Sequence, residues 1–318
     1  MKKGIFIIQL GTPEAPTVSS VRDFLRLFLS DKRVITLPAP LRYLLLYFFI
    51  LPLRSKRSAK AYQAIWTKQG SPLRVLTQQL TSKLQEKLET THQVTYGMRY
   101  GNPSLQTALD SLSHCDEITV LPLYPQYASS STGSSIEAVF DYFKNKSTIP
   151  TLHIIRDFYA HPAFIQAEST QIKPYLKQNF EHLLLSYHGL PKQHLNKINT
   201  KSSCYRTQCF ETSKQLADVL GLKSTQYTTA FQSRLGKAEW IKPYTDETLA
   251  ILAKTGIKHL LVACPSFVTD CLETLEEIGI QATKNWKTLG GETLTLVPCL
   301  NHETHWVNAL QELLSSNS

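Results

Sequence analysis

Strand-length apolar runs punctuate the chain at 4–10, 94–99, 118–123, 152–156, 183–187, 228–232, 260–264 and 293–298. They are short, rich in Ile, Val and Leu, and mostly bounded by turn residues, which predicts buried strands. Between them apolar positions recur at helical spacing, predicting helices over 71–89, 134–145, 164–177, 209–220, 245–253, 269–279 and 304–314. Alternation of strand and helix predicts parallel sheets with helices on both faces. The eight runs part into two sets of four near residue 158. The expected class is therefore α/β, with two similar doubly wound domains, 1–157 and 158–318, each a four-stranded parallel sheet flanked by helices. The last helix is expected to pack back on the N-terminal domain. The halves rhyme locally, since Val120-Leu121-Pro122-Leu123-Tyr124-Pro125 and Val262-Ala263-Cys264-Pro265-Ser266-Phe267 both run from a strand toward a helix. Duplication would produce this, and so would two unrelated parallel-sheet domains. In such folds ligands bind beyond the carboxyl ends of the strands, so function is expected there, in a cleft between the domains.

One segment breaks the pattern. Residues 41–53 (LRYLLLYFFILPL) hold a single Arg and are followed by Arg54-Ser55-Lys56-Arg57. A bilayer span needs about 20 residues. The segment is either a buried helix or an apolar lip with a cationic collar, lying in a membrane interface or walling an apolar ligand.

Charge sharpens this picture. Lys and Arg number 34 against 25 Asp and Glu, a net of +9, and the whole excess lies between Arg22 and Arg74, where 11 bases meet only Asp23 and Asp31. A local basic patch usually meets something anionic, whether nucleic acid, a membrane surface or an acidic small molecule. Neither a recognition-helix motif nor the aromatic interleaving of an RNA-binding sheet is present, which argues against nucleic acid. Gly and Pro make up 29 of 318 residues, excluding collagen-like and low-complexity classes. The aromatic content and the apolar runs exclude pure disorder. Six cysteines at these spacings do not form a secreted disulfide framework. Met1-Lys2-Lys3 leads straight into a strand-length run with no cleavage site, so a cytoplasmic location is expected.

Chemistry is expected after strand ends. In Leu183-Leu184-Leu185-Ser186-Tyr187-His188-Gly189-Leu190-Pro191 a histidine ends a buried strand, and Gly189 and Pro191 turn the chain. After another strand, Thr269 or Asp270 would cap a helix on which Asp270, Glu273 and Glu277 lie at i, i+3 and i+7. Such acids often serve only as dipole complements on a solvated face. Facing His188, however, they could bind a divalent metal such as Fe²⁺ or relay protons. A third strand end carries Arg234, Lys237 and Trp240, and the first half places Arg99, Tyr100 and the stretch 122–127 similarly. Cationic groups hold carboxylates and aromatic faces hold flat apolar surfaces, so the implied ligand is flat, apolar and anionically substituted. Other signals are weak. Leu10-Gly11-Thr12-Pro13 lacks the dinucleotide fingerprint's glycine spacing, and the Ser/Gly loop 129–135 has no Walker lysine. Cys204, Cys209, Cys264 and Cys271 could supply four thiolates to an iron–sulfur cluster, although buried free thiols are the better account of them.

Taken together, these motifs resemble the ferrochelatases, which insert Fe²⁺ into a porphyrin. The resemblance runs along nearly the whole chain. It includes Gly11-Thr12-Pro13-Glu14, Gly97-Met98-Arg99-Tyr100, Leu121-Pro122-Leu123-Tyr124-Pro125-Gln126-Tyr127, Ser131-Thr132-Gly133-Ser134-Ser135, Ser186-Tyr187-His188-Gly189-Leu190-Pro191, Phe231-Gln232-Ser233-Arg234 and Asp270-Cys271-Leu272-Glu273-Thr274-Leu275. It implies that His188 and Glu273 are the paired catalytic and metal-site residues, and that Asp270 and Glu277 extend an acidic path for protons or metal. It implies further that Leu10, Tyr62, Ser71, Arg99, Tyr100 and Trp240 line the macrocycle pocket. Tyr62 and Ser71 stand further apart than in animal members. Cys271 occupies the place of a histidine in those members and cannot take its role. Some members carry a C-terminal extension with cysteines for a [2Fe–2S] cluster; no cysteine follows Cys299 here, so no cluster of that type is expected. The apolar lip 41–53 resembles that of members acting on protoporphyrin IX, and 41–57 would contact an inner-membrane surface peripherally. Fe²⁺ and protoporphyrin IX are thus the expected substrates, with protohaem and two released protons as products, in the last step of haem synthesis. The rival readings are a coproporphyrin III ferrochelatase, a cobalt chelatase of related fold, and a non-catalytic porphyrin or haem carrier.

Overall fold

The computed structural model describes residues 2–178, 180–195, 204–236 and 238–316. The chain forms two compact units, one from Met1–Tyr124, Ala128–Asp157 and Leu314–Ser318, the other from Pro125–Tyr127 and Phe158–Leu313.

The N-terminal unit is built on β1 (Lys3–Gly11), β2 (His92–Tyr100), β3 (Glu117–Pro122) and β4 (Thr151–Ile154), paired in parallel in the order β2-β1-β3-β4. The C-terminal unit repeats this plan with β5 (His182–His188), β6 (Tyr227–Gln232), β7 (His259–Ala263) and β8 (Thr293–Leu296), in the order β6-β5-β7-β8. All eight apolar runs are therefore strands, and each sheet is parallel throughout. Helices cover both faces of such a sheet, so an inner strand is buried on both sides and shows no polar alternation. That explains Ile5, Phe6, Ile7 and Ile8 in β1 and Leu183, Leu184 and Leu185 in β5, all 0–1% exposed. Phe6, Leu109, Leu112, Val120 and Val139 centre one core, and Leu184, Ala230, Leu249, Val262 and Trp286 the other.

The predicted helices form, with three differences. Helix Val18–Leu29 was not anticipated, although Val21, Phe24, Leu25 and Leu29 bury one face at helical spacing. A short helix, Leu105–Ser111, follows β2. The helix predicted over 269–279 starts later and is a π-helix across Glu273–Ala282, continuing as Thr283–Thr288.

The apolar segment is buried on one side and exposed on the other. It forms helix Ala39–Leu45, a π-turn Leu46–Ile50 and helix Leu51–Ile65. Leu46 and Leu51 are buried, whereas Phe48 is 71% and Leu53 75% exposed, with Leu41, Leu44 and Phe49 also outward. One side thus anchors the segment and the other offers contiguous apolar surface. Among the described residues no helix is long and apolar enough to cross a membrane.

One glycine is fixed by strand register. Gly11 pairs with Tyr100 across β1 and β2, has φ +117°, and a Cβ there would lie 1.8 Å from the Tyr100 carbonyl oxygen. Gly11→Ala must force the ends of two paired strands apart. It is expected to cost about 3 kcal/mol or more in urea unfolding; a loss under about 1 kcal/mol would show that the strands separate freely there.

Candidate functional site

The C-terminal unit presents a histidine whose surroundings define its chemistry. His188 is the last residue of β5 and pairs with Gln232 of β6. Its backbone N–H donates to Ser266 Oγ at 3.0 Å, and Tyr205 Oη donates to its carbonyl at 2.9 Å. Its ring Nδ1 lies 2.6 Å from the Gly189 carbonyl oxygen. A carbonyl oxygen only accepts, so Nδ1 carries a proton; in the neutral ring the free lone pair is therefore on Nε2. Trp240 and Phe267 stand beside the ring, with centroids 6.4 and 6.2 Å away. Trp240 is itself buried, and its Nε1 donates to the Leu235 carbonyl at 2.9 Å. Gly189 must lack a side chain, because a Cβ would sit 2.6 Å from the Gln232 carbonyl oxygen, to which its own N–H donates at 2.8 Å.

The acids gather around the start of the π-helix. Gln232 links them to the sheet, since its Nε2 donates to the Glu273 carbonyl at 2.7 Å and reaches Glu277 Oε2 at 3.3 Å. Its Oε1 accepts from Ser186 Oγ at 2.8 Å and from the Cys264 thiol. Glu277 accepts from Ser233 N at 2.7 Å on one oxygen and from Ser233 Oγ at 2.6 Å on the other. Burial pushes the Glu277 carboxyl up; the Ser233 donors pull it back, the Glu273 charge raises it and His188 lowers it. Glu277 thus lies within electrostatic reach of both Glu273 and His188. The Cys271 thiol meets the Glu273 carboxyl, and burial chiefly, with that charge, pushes the thiol up.

Asp270 departs from the expected stripe. It precedes the helix, and Thr274 Oγ1 (2.9 Å), Asn301 Nδ2 (2.8 Å) and Cys299 N (3.4 Å) all donate to its carboxyl. No simple N-cap forms; instead Thr274 Oγ1 also accepts from Cys271 N at 3.0 Å. Behind Asp270 lies Glu168, which sequence reasoning missed. It is buried, its Oε1 has no partner, and burial together with the Asp270 charge pushes its pKa up to about 8.

The N-terminal unit joins its own five candidate residues around the carboxyl ends of β1 and β2. Leu10 lies next to Gly11 on β1, and Arg99 and Tyr100 end β2. Ser71 Oγ and Thr12 Oγ1 are hydrogen-bonded at 2.7 Å, both buried. Tyr62 packs edge-on to Phe24, which stacks on Phe28, which packs on Tyr100 at 5.2 Å. Asp31 is the hub that the sequence did not disclose. Its Oδ2 accepts from Arg99 Nη2 (2.9 Å), Tyr100 Oη (2.7 Å) and Ser134 Oγ (2.5 Å), and its Oδ1 from Arg33 N (2.7 Å). These donors hold Asp31 below the usual carboxylate range against the opposing effect of burial. The signal available was its isolation, as one of two acids in the basic stretch. Ser134, from the loop read as a weak phosphate cradle, is thus part of this network.

Other candidates lie elsewhere. Arg234 already holds Asp246 at 3.0 Å and Glu247 at 3.4 Å and stacks over Tyr244, so it is engaged within its own unit. Lys237 lies outside the described residues. Cys204, Cys209, Cys264 and Cys271 are free thiols, and among the described residues no three His, Cys, Asp or Glu side chains gather as a metal-ligand set.

The family model described as Ferrochelatase matches residues 2–318. A ferrochelatase of Legionella pneumophila (strain Lens) is 50% identical, with 99% of each chain covered. One of Coxiella burnetii (strain Dugway 5J108-111) is 46% identical, covering 98% of this chain and 93% of that one. Among solved structures, SirB from Bacillus subtilis with Fe³⁺ matches with a TM-score of 0.59 at 10% identity, covering 100% of this chain and 96% of that one. CbiX, described as the terminal enzyme for biosynthesis of sirohaem in denitrifying bacteria, matches with a TM-score of 0.51 at 12% identity over 100% of both chains. The structural matches show a two-unit chelatase fold. At about half identity over essentially the full length, the chain belongs to the ferrochelatase family of metal chelatases.

Proposed function

We propose that this chain inserts Fe²⁺ into protoporphyrin IX, giving protohaem with release of two protons as the last step of haem synthesis. The observation that carries the reading is the fixed ring of His188: its Nδ1 donates to the Gly189 carbonyl, which leaves Nε2 as the acceptor. Family membership supplies the reaction class.

Metallation replaces two pyrrole N–H protons by one dication, so the site must take protons and bring the metal to the ring centre. A flat macrocycle hides its nitrogen lone pairs, and a bent one exposes them. Binding the ring bent is complementarity to the transition state. His188 Nε2 is suited to take a pyrrole proton as a general base, because the neutral ring donates from Nδ1 to Gly189 and keeps its acceptor on Nε2. Glu273, next in the electrostatic chain with Glu277, would receive the cation or pass protons on toward Glu277 and Asp270. In the N-terminal unit, Leu10 and the aromatic series from Tyr62 to Tyr100 suit the apolar ring. Arg99 is tied to Asp31, so it would meet a propionate as one partner of a paired charge rather than as a lone cation. The exposed side of 39–65 supports a dicarboxylate, otherwise apolar porphyrin and peripheral contact with a membrane surface.

His188→Ala is expected to abolish Fe²⁺ and Zn²⁺ insertion, followed anaerobically through the Soret band, while porphyrin binding by fluorescence quenching stays within about threefold of the unmutated protein. An active variant would overturn the assignment of the base. With protoporphyrin IX and coproporphyrin III offered side by side, protoporphyrin IX should be metallated with the higher kcat/KM; the reverse preference would move this chain to the tetracarboxylate substrate. Replacing the exposed Leu44, Phe48 and Leu53 by Ser should weaken binding to anionic vesicles about tenfold or more without lowering the unfolding midpoint. Unchanged vesicle binding would make the apolar face unrelated to membranes.

A further inference from the structure

Backbone conformation singles out two residues to which the reaction described above gives no part. Among the described residues, three other than glycine have positive φ: Glu89 (49°), Ser233 (67°) and Asn301 (50°). Glu89 ends helix Pro72–Leu88 in the N-terminal unit. The other two lie beyond strand ends of the C-terminal unit, and each grips one acid of the proposed path. Ser233 directly follows β6 and donates from N and Oγ to the two separate oxygens of Glu277. Asn301 follows β8; its Nδ2 donates to Asp270 Oδ2 at 2.8 Å and its Oδ1 accepts from Asp270 N at 2.9 Å.

We propose that Ser233 and Asn301 are positioning residues for metal insertion, which fix the carboxyls of Glu277 and Asp270 so that the acids leading to His188 and Glu273 keep one geometry. The proposal rests on the reading of Glu277 and Asp270 as participants in the reaction. A left-handed backbone suits glycine and is unfavourable for serine. Retaining serine at φ 67° is explained by what glycine would lose, namely the hydroxyl that completes a two-point grip on Glu277. A carboxyl held at both oxygens by one residue can neither shift nor rotate independently of the end of β6. Asn301 grips Asp270 at backbone and side chain together, which fixes where its carboxyl points. Asparagine tolerates the left-handed region better than most residues, so this second grip strains the backbone less. Strained residues gather at functional sites when their surroundings over-determine them, and here the surroundings include Gln232, which donates to both Glu273 and Glu277.

The test compares Ser233→Gly and Asn301→Gly with Glu277→Gln and Asp270→Asn in the full chain, using Zn²⁺ and protoporphyrin IX. Glycine suits the left-handed backbone, so both glycine variants should be folded at the assay temperature by circular dichroism, and Ser233→Gly should unfold no earlier than the starting protein. Each glycine variant should lose about tenfold in kcat, the scale of one hydrogen bond to a charged group, with porphyrin affinity unchanged. Wild-type kcat in both glycine variants, with kcat lost in Glu277→Gln and Asp270→Asn, would overturn the positioning role and leave the acid path standing. Wild-type kcat in Glu277→Gln and Asp270→Asn would overturn the acid path itself and the positioning role with it. A kcat loss accompanied by loss of the folded signal in the glycine variants would make both residues merely structural and overturn the proposal.

Discussion

The hydrogen bond from His188 Nδ1 to the Gly189 carbonyl, 2.6 Å long, is the constraint on which the functional reading depends. It fixes the tautomer and the plane of the ring with backbone alone, so no second side chain is needed to orient the imidazole. Beside it, β5 ends against β6 closely enough for Gly189 to touch the Gln232 carbonyl, an approach that any Cβ would block. Gln232 then carries the constraint onward, tying Ser186 of β5 to the π-helix that bears Glu273 and Glu277.

The N-terminal unit solves the same packing problem at the same place. Its strand order repeats that of the C-terminal unit. At the end of its central strand, Gly11 meets the carbonyl of Tyr100, the last residue of β2, as Gly189 meets the carbonyl of Gln232, the last residue of β6. The local sequences agree, with Leu10-Gly11-Thr12-Pro13 against His188-Gly189-Leu190-Pro191. Leu10 thus occupies in one unit the position that His188 occupies in the other. This equivalence is stronger evidence for a repeated plan than the rhyme between 120–125 and 262–267. It also shows how one scaffold position serves an apolar contact in one unit and a base in the other.

The sheets were legible because buried parallel strands read as continuous apolar runs, and all eight formed. His188, Glu273, Glu277 and Trp240 were legible through motifs after strand ends, and the structure joins them electrostatically or by ring contact. The π-helix was not legible, since apolar spacing over 269–279 fits an α-helix equally well. Asp270 was misplaced for the same reason, having been read as part of a helical stripe that begins only after it. Asp31 and Asn301 escaped because each is an ordinary polar residue whose side-chain partners lie 30 or more positions away. Arg234 was read as a ligand group because its local acids, Asp246 and Glu247, belong to the next helix and face it only after folding.

The most direct test of the central claim is the nitrogen-15 spectrum of His188, assigned by comparison with His188→Ala. In the neutral ring the account predicts a protonated Nδ1 and an unprotonated, pyridine-like Nε2. A neutral His188 carrying its proton on Nε2 would contradict it, because Nδ1 could then not donate to Gly189 and Nε2 could not accept a pyrrole proton.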